Sequence, residues 1–448
     1  MSSEWSENYL SDLTDEITVG YVGSMTHEYA DSGIPFLRSK NISNYEIVWD
    51  DIRYISSAFH NKIKKSVLHP GDVAVVRTGK PGTSCVIPNE LSEGNCSDLV
   101  IIRVDKNKLC PHYLCYYLNS IAVHQIDSQI VGAVQQHFNV GSAKSLKIKS
   151  PSLLTQKRIS FVLQCLDNKI KLNKVTNQTL EQIAQALFKS WFVDFEPVKA
   201  KISVLEAGGS QEDATLAAMT AISGKDDDAL VVFEREHPEQ YAELKATAEL
   251  FPSAMQDSEL GNIPVTWELG KLQDLLVLQR GFDLPSSARK DGEFPLIAAS
   301  GPNGTHNVAM AKAPGVITGR SGVLGKVYLT LEDYWPLNTT LWVKEFKRAT
   351  PCYAYELLRL LDMKAFNAGS AVPSLNRNHI HSLSYPLPPM ALVNLFESSA
   401  LLLHQRAHVN LKHSQSLALL RDTLLPKLLS GEITLPEAEQ AVSEAENV

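Results

Sequence analysis

The stretch that decides the fold is residues 155–192, TQKRISFVLQCLDNKIKLNKVTNQTLEQIAQALFKSWF, which contains no Gly and no Pro. Alternating steps of four and three residues select ten positions along it, and eight of them are apolar. These positions are Ile159, Leu163, Leu166, Ile170, Asn173, Asn177, Leu180, Ala184, Leu187 and Trp191. An apolar seam sustained over about four heptads is typical of a helix in a coiled coil. The stretch predicts one helix roughly 55 Å long, in which Asn173 and Asn177 lower stability but fix the register.

A second seam lies 237 residues further along the chain. It keeps the apolar pattern, with Asn410 at the position equivalent to Asn173 and a polar break at Arg421. Its positions are Phe396, Ala400, Leu403, Ala407, Asn410, Ser414, Leu417, Arg421, Leu424 and Leu428. A single stripe of this kind would also describe a helix that lies on its own domain. The duplicated seam and the matched Asn favour two long helices packed on each other.

The segments in front of the two seams also match in order. Ile34-Pro-Phe-Leu37 matches Phe294-Pro-Leu-Ile297, Arg77-Thr-Gly79 matches Arg320-Ser-Gly322, and Phe138-Asn139 matches Leu375-Asn376. Short β-branched runs separated by Pro-Gly turns predict mixed α+β domains. The whole chain is therefore predicted to repeat one plan, a globular domain followed by a long helix.

This pattern predicts six segments. They are a first globular domain at 1–150, a central long helix at 151–198 that Pro197 ends, an acidic and partly helical linker at 199–260, a second globular domain at 261–388, a C-terminal long helix at 389–435 and an acidic tail at 436–448.

The charge of the chain is unevenly distributed. The formal net charge is −8, yet residues 201–260 alone hold 4 Lys+Arg and 13 Asp+Glu, a net of −9. The remainder is close to neutral, so any DNA-binding surface must be a local patch. No apolar run is long enough to cross a membrane, no secretory signal is present, and six scattered Cys without a CxxC fit a reducing cytosol. We therefore expect a cytoplasmic protein.

Catalytic motifs are missing from the sequence. The nearest approach to a phosphate loop, GRSGVLGKV at 319–327, has its first Gly misplaced and Val327 where a magnesium-binding hydroxyl should be. His404 and His408 have metal-ligand spacing, but a packed or solvated pair is favoured because no Glu base accompanies them. We predict no catalytic residue and no metal site.

Basic and polar side chains recur on glycine-containing turns in both halves. Gly lets the backbone approach a ligand closely, Arg can bind guanine, and Lys can meet phosphate. Each residue taken singly could be an ordinary surface residue, but the repeated Arg-containing loop favours DNA. The predicted DNA-binding residues are Arg38, Lys40, Asn41, Arg77, Thr78, Lys80, Gln135, Gln136, Arg289, Asn303, Thr305, His306, Arg320, Ser321, Lys326 and Arg377.

Three further stretches carry a family resemblance. Leu187-Phe-Lys-Ser-Trp-Phe-Val-Asp-Phe195, Asp257-Ser-Glu-Leu-Gly-Asn-Ile-Pro264 and Leu424-Leu-Pro-Lys-Leu-Leu-Ser-Gly-Glu-Ile433 resemble the DNA specificity subunits of type I restriction–modification systems. The resemblance covers essentially the full length. It departs at Val316, where the first half has Asp72, and at Arg421.

The resemblance implies an α+β fold in which two mixed α/β target-recognition domains are joined by two long antiparallel coiled-coil helices, with an internal pseudo-two-fold repeat. It implies that each domain reads one half of a split double-stranded DNA sequence. It further implies two methyltransferase subunits and two restriction motor-nuclease subunits as partners, which use S-adenosylmethionine, ATP and magnesium. The end of the first helix, with Phe188, Trp191 and Phe192, is either a candidate partner contact or a cap packed on the adjoining domain.

Two other functions remain open at this point. A self-contained DNA methyltransferase or nuclease would need the motifs that are missing. A structural coiled-coil adaptor would show no sequence preference on DNA.

Overall fold

The computed structural model describes residues 5–129, 137–367 and 373–446. The chain divides into two compact units. The first unit comprises Met1–Asn173 and Lys412–Val448, and the second comprises Lys174–Leu411. Each unit contains one mixed α+β domain together with parts of both long helices.

Short strands and helices build the domain of the first unit. Its strands are Ser6–Tyr9, Thr14–Val19, Tyr29–Ala30, Ile34–Leu37, Arg53–Ile55, Val67–Leu68, Val73–Val76, Ser84–Val86, Gly94–Cys96, Leu99–Val104 and Lys147–Ser150. Its short helices, including 3₁₀ turns, are Leu10–Leu13, Ser39–Asn41, Ser57–Lys62, Lys64–Ser66, Pro111–Leu118, Val123–Gln129 and Val140–Lys144.

The domain of the second unit has a related set of elements. Its strands are Met255–Gln256, Ile263–Pro264, Glu268–Lys271, Leu276–Arg280, Phe294–Ala298, Gly301–His306, Gly315–Gly319, Val327–Thr330, Trp335–Pro336, Thr340–Phe346 and Ser384–Leu387. Its short helices are Leu272–Leu275, Ser286–Ala288, Pro351–Leu360 and Arg377–His381.

A four-stranded antiparallel sheet has the same strand order in both domains. In the first, the order is Thr14–Val19, Leu99–Val104, Val73–Val76, Ser84–Val86. In the second, the order is Leu276–Arg280, Thr340–Phe346, Gly315–Gly319, Val327–Thr330. In each domain a parallel pair adjoins this sheet, Ile34–Leu37 with Gly94–Cys96 and Phe294–Ala298 with Trp335–Pro336. This shared strand order confirms the predicted repeat of mixed α+β domains.

The two long helices are Leu153–Phe192 and Met390–Ser430. All twenty predicted seam positions are buried or half-buried. Within the first unit the helices run antiparallel, because Asp167 pairs with Arg421 and the later Asn173 pairs with the earlier Ser414. Within the second unit they are also antiparallel, because Asn177 contacts Asn410 and the later Phe188 contacts the earlier Phe396. Each helix portion contributes to the hydrophobic core of its own unit.

Polar seam positions are hydrogen-bonded between the helices. The Asn410 amide donates to Asn177 Oδ1 at 2.9 Å, and the Asn177 amide donates to the Ala407 carbonyl at 2.9 Å. In the first unit Asn173 donates to Ser414 Oγ at 3.2 Å. Because 237 separates Asn173 from Asn410 and Asn177 from Ser414, the repeat relates these positions as well. The role of the three Asn in setting the register stays a prediction.

The polar break at Arg421 has a structural reason. Its guanidinium donates to Asp167 of the first long helix at 2.7 Å and lies 4.9 Å from the centre of the Tyr45 ring. Asp167 also accepts a hydrogen bond from the Tyr116 hydroxyl. Arg421 therefore joins both helices to the first domain, and a Leu at this position could not make these bonds.

The structure corrects three details of the predicted segments. Pro197 does not end the first long helix. That helix stops at Phe192, Phe195 adopts left-handed backbone angles, and Pro197 lies in the first turn of the next helix, Glu196–Glu206. Proline is favoured there because the first helical N–H groups have no acceptor within the helix.

The acidic segment is more ordered than a linker. It contains the helices Glu196–Glu206, Gln211–Ser223, Asp227–Glu236 and Pro238–Glu249. Ala218, Met219, Leu230 and Ala248 form a small core of their own. The Lys201 ammonium is buried and donates to the Phe251 carbonyl at 2.7 Å, and this burial lowers the pKa of Lys201.

The predicted acidic tail is likewise a helix, Leu435–Glu446. Its Ala438 and Val442 are buried in the core of the first unit. Both residues lie four apart and therefore share one helix face, a short signal that the acidic composition of the tail concealed.

The aromatic residues that were candidate partner contacts are buried. Phe188, Trp191 and Phe192 are 1%, 3% and 2% exposed and pack on Phe396 in the core of the second unit. Of the two alternatives left open by the sequence, the structure supports the packed cap and contradicts the partner contact.

The second unit contains a buried carboxyl near its long helices. Glu356 is 1% exposed and pairs with Arg359 at 3.3 Å. Burial raises the pKa of Glu356 to about 7, with Glu181 adding to the effect and Arg359 opposing it. Nearby, burial and the charge of Arg359 lower the pKa of His404 to about 4.

We expect Asn177→Leu to lower the free energy of unfolding by about 1–3 kcal/mol, because it deprives the Asn410 amide of a bond in a half-buried seam. Adding Asn410→Leu should recover part of the loss, since two facing Leu pack without unpaired polar atoms. Urea unfolding of both single variants and the double variant measures this coupling. Asn168→Leu, at an exposed position of the same helix, is the control, and strictly additive losses would contradict the pairing.

The second prediction concerns pH. A raised pKa means that native Glu356 keeps a proton that the unfolded chain has lost, so its stabilisation is complete below pH 4.5 and is lost as pH rises through about 7. From pH 6 to pH 8 the free energy of unfolding should fall by about 1 kcal/mol more in the wild type than in Glu356→Gln. Folded His404 stays neutral across this window, but the unfolded chain takes up a proton at His404 below its ordinary pKa of 6.5, so its stabilisation falls from there towards pH 4. Both proteins share this effect, which therefore cancels in their comparison. Thermal melting of both proteins at the two pH values tests this, and equal pH dependence would refute it.

Candidate nucleic-acid interface

Three loops of the first domain meet at Asp98. The Thr78 hydroxyl donates to one Asp98 carboxylate oxygen at 3.0 Å, and the Ser39 hydroxyl donates to the other at 3.1 Å. Thr78 Oγ1 is also 3.1 Å from Nδ1 of His137. Arg77, which precedes Thr78, is half-buried, and its Nε has no hydrogen-bond partner among the residues that the structure describes. The predicted residues Arg77 and Thr78 therefore share one surface region with Ser39 and its neighbours.

A cluster of cations lies beside this region. Arg38, Lys40 and Arg53 all pair with Asp51, Arg38 at 3.5 Å and Arg53 at 3.4 Å. A hydrogen bond from Lys40 holds the pKa of the Asp51 carboxyl below its ordinary value. Three cations on one exposed carboxylate leave a net positive patch, which suits an anionic partner.

Two predicted residues have structural positions instead. Asn41 is fully buried, and its amide donates to the carbonyls of Val48 and Asp50. His306 is 5% exposed, with Nδ1 3.1 Å from the Lys290 carbonyl. Both side chains hold loops in place and are not available to a ligand in this conformation.

The other predicted residues fall into three groups. Lys80, Asn303, Thr305 and Lys326 are exposed on the surface. Arg289 is half-buried, and within the described ranges its Nε lacks a hydrogen-bond partner. Gln135 and Gln136 lie outside the described residues.

A cleft of about 450 Å³ opens on the second domain. Its lining residues are Arg280, Arg320, Leu341, Ser374, Leu375, Asn376 and Arg377. The Arg320 guanidinium donates to the Asn338 carbonyl at 3.4 Å, and Arg280 pairs with Asp283 at 2.9 Å. Ser321 forms a β-bridge with Ser374 beside the cleft. The structure thus brings the predicted Arg320, Ser321 and Arg377 together.

The backbone around Arg77 and Arg320 is held in the same way. Arg77 N–H donates to the Asp98 carbonyl at 3.3 Å, and Arg320 N–H donates to the Thr339 carbonyl at 2.8 Å. The Arg77 carbonyl accepts from Phe138 at 3.0 Å, and the Arg320 carbonyl accepts from Leu375 at 2.9 Å. These equivalent bonds confirm the predicted match between the two Arg loops.

Sequence reasoning missed Arg53, Asp98 and Arg280. Arg280 ends the strand Leu276–Arg280, as Arg320 follows the strand Gly315–Gly319, so a search for Arg at strand ends would have found it. Asp98 gave no such signal, because only the tertiary structure brings it to Thr78.

Within the described ranges, no group of three or more His, Cys, Asp or Glu side chains is arranged to hold a metal ion. Among the same residues, no helix combines the length and apolarity needed to cross a bilayer.

Comparisons with known proteins agree with this geometry. Residues 4–182 match the family model of the type I restriction modification DNA specificity domain. The chain is 28% identical to the type I restriction enzyme HindI specificity subunit of Haemophilus influenzae, covering 96% of this chain and all of that protein. It is 23% identical to the type I restriction enzyme MjaIX specificity subunit of Methanocaldococcus jannaschii, covering 97% of this chain and 94% of that protein.

A solved structure shares the fold. The crystal structure of the type I restriction–modification S subunit from M. genitalium aligns with a TM-score of 0.52 at 15% identity, covering 95% of this chain and 96% of that one. The fold is thus a duplicated mixed α+β domain with two long helices, as in that S subunit. The chain is similar along nearly its whole length to type I restriction enzyme specificity subunits, and residues 4–182 match the DNA specificity domain, which confirms the resemblance drawn from the sequence.

Proposed function

We propose that this chain is the specificity subunit of a type I restriction–modification complex and binds a bipartite DNA sequence, one half-site per domain. The observation that carries the proposal is the pair of equivalent Arg loops, Arg77 and Arg320, held by the same backbone bonds. A duplicated frame with different surrounding side chains offers two similar platforms for two different sequences.

Catalysis belongs to partner subunits under this proposal. Methyltransferase subunits would use S-adenosylmethionine, and restriction subunits would use ATP and magnesium, two copies of each in the full complex. The duplicated plan supports two copies of a partner, because two similar surfaces invite two similar contacts. The chain would act in the cytoplasm, where the host DNA is methylated.

The six-segment division is proposed with the corrected descriptions of 199–260 and 436–448. Domains at 1–150 and 261–388 read DNA, the long helices Leu153–Phe192 and Met390–Ser430 connect them, and Asn173, Asn177 and Asn410 fix the helix register.

Exposed apolar residues of the long helices suggest where the partners dock. Phe161, Leu172 and Ile183 are 67%, 57% and 49% exposed and follow one another at intervals of eleven residues, which is close to three turns of helix. On the second helix, Leu402 and Val409 are 67% and 56% exposed, and Val409 is the repeat equivalent of Leu172. We propose the part of this stripe in the first unit, with Phe161 and Leu172, as the seat of a methyltransferase helix, since apolar stripes at helical spacing bind amphipathic helices.

The function is tested by mapping N6-methyladenine. The chain is expressed with its neighbouring methyltransferase subunit in a host without methylation, and the genome is read by long-read sequencing. We expect a single split motif with a constant gap that appears only when this chain is present. Methylation that ignores the chain, or none with a demonstrably active partner, would favour the adaptor alternative.

Single substitutions should divide the motif. Arg77→Ala should relax one half-site and Arg320→Ala the other, because a lost bidentate contact removes about 1–3 kcal/mol of discrimination at one base pair. The same methylation map measures both effects. Lys312→Ala, a highly exposed position of the second domain, is the control. Equal weakening on every sequence would mean that these Arg residues contact only phosphate.

The docking stripe gives a separate prediction. Phe161→Ser with Leu172→Ser should abolish co-purification of the methyltransferase subunit, because it removes two of the most exposed apolar side chains from the helix. Melting should be unchanged, since neither side chain is in the core. Val231→Ser, which alters an equally exposed residue of the acidic segment (68% exposed), is the control. Retained co-purification would refute the site.

A further inference from the structure

The Arg cleft of the second domain differs chemically from its counterpart in the first. The backbone pairing shows which positions are equivalent. Arg280 pairs with Leu341 in the second domain, and Val19 pairs with Val100 in the first. Each is followed by a Gly whose N–H donates to the preceding residue of the partner strand, Gly281 to Thr340 and Gly20 to Leu99. Arg377 follows Asn376 as Val140 follows Asn139, and both Asn side chains accept from the backbone of the next short helix.

Four positions therefore compare directly between the domains. The second domain has Arg280, Arg320, Arg377 and Thr339, whereas the first has Val19, Arg77, Val140 and Asp98 in the same order. At these four positions the second domain has three cations and no carboxylate, whereas the first domain has one cation and one carboxylate. The duplicated frame is the same, but its formal charge at these positions is +3 in the second domain and zero in the first.

The surroundings compensate these three charges only in part. Asp283 pairs with Arg280. Arg320 has the Asn338 carbonyl at 3.4 Å as acceptor. Arg377 is exposed and makes no ion pair or side-chain hydrogen bond within the part of the chain that the structure describes. Like charges around one cavity repel each other, and a bound anion would reduce the repulsion among the three guanidinium groups of this cleft.

The cleft is shaped for an anion and not for a base edge. A guanine edge is neutral and planar, and one Arg in its plane satisfies both acceptors. Three guanidinium groups and the Ser374 hydroxyl around a concave space instead offer donors from several directions, which suits the tetrahedral oxygens of a phosphate. No lining residue is a carboxylate.

We propose that the cleft lined by Arg280, Arg320 and Arg377 holds one phosphate of the DNA backbone, and that the described part of the first domain has no such Arg cleft at the equivalent positions. This inference rests on the proposed function for the ligand being duplex DNA. It makes the two domains unequal at these equivalent positions. The second has three Arg residues there, whereas the first has Arg77 beside the Asp98 carboxylate and groups Arg38, Lys40 and Arg53 on Asp51 instead. Arg320→Ala should then relax its half-site less than Arg77→Ala relaxes the other, since part of the Arg320 side chain would contact phosphate.

The test measures affinity against salt concentration. Full-length chain with its methyltransferase partner is titrated by fluorescence anisotropy onto a duplex that carries the methylated motif and onto a scrambled duplex, at several salt concentrations. Arg377→Gln combined with Arg280→Gln should weaken binding to both duplexes by the same factor, roughly tenfold. The slope of log K against log salt should become shallower by about 0.9, the value for one lost phosphate contact.

Two controls separate this effect from general loss of charge or fold. Arg348→Gln removes a cation of the same domain that pairs with Glu268 outside the cleft, and it should change neither affinity nor slope. Circular dichroism melting should be unchanged in the cleft variant, because Arg280 and Arg377 are exposed.

The other outcomes are decisive. A loss confined to the motif duplex, with unchanged slope, would mean that the cleft reads a base and would overturn the proposal. Unchanged affinity would overturn it as well. If wild type showed no preference for the motif while the cleft variant still lowered the slope on both duplexes, the proposed specificity function would fail but the phosphate site would stand. Wild type that failed to bind either duplex would overturn both.

Discussion

The structure depends on the burial of one apolar seam on each long helix inside the cores of the globular domains. In the first unit, Ile159, Leu163 and Leu166 share a core with Leu417 and Leu428 and with residues of the adjoining sheet. In the second unit, Phe188 and Phe396 meet over Tyr353. An isolated helix of forty residues would expose this seam to water. Because the same side chains complete the domain cores, helix and domain form one cooperative body within each unit.

Polar residues in the seam are tolerated only where they find partners. Arg421 is stabilised by Asp167, which also binds Tyr116, and Asn177 by Asn410. Buried polar groups that lack partners cost free energy comparable to a lost hydrogen bond or more. The equivalent position in the second unit is Ala184, and that unit instead contains the buried carboxyl of Glu356 beside the half-buried Arg359. The repeat preserves the packing but not the polar chemistry.

The same division holds at the candidate interface. The two domains share the same backbone hydrogen bonds, from Arg77 N–H to the Asp98 carbonyl and from Arg320 N–H to the Thr339 carbonyl. These bonds do not depend on side-chain identity. Side chains on this frame were therefore free to differ, as Val140 and Arg377 do. A recognition protein benefits from such a frame, because specificity lies in the side chains while the backbone keeps each of them at a defined position.

Much of the fold could be predicted from the sequence because its signals are periodic and local. The heptad spacing from Ile159 to Trp191 determined the first long helix, and the repeat at 237 determined the second. Local signals failed where composition concealed packing. The tail at 436–448 reads as acidic, yet Ala438 and Val442 enter a core, and Pro197 reads as a stop although the first turn of a helix accommodates proline.

For the site, the sequence by itself determined that Arg, hydroxyl and Gly recur together on two loops. Only the tertiary structure decided which side chains join them, because Asp98, Arg280 and Arg377 are distant from those loops in sequence and reach them through strand pairing. It also decided that Asn41 and His306 are buried, since burial depends on what the rest of the chain packs over a residue and not on the residue itself.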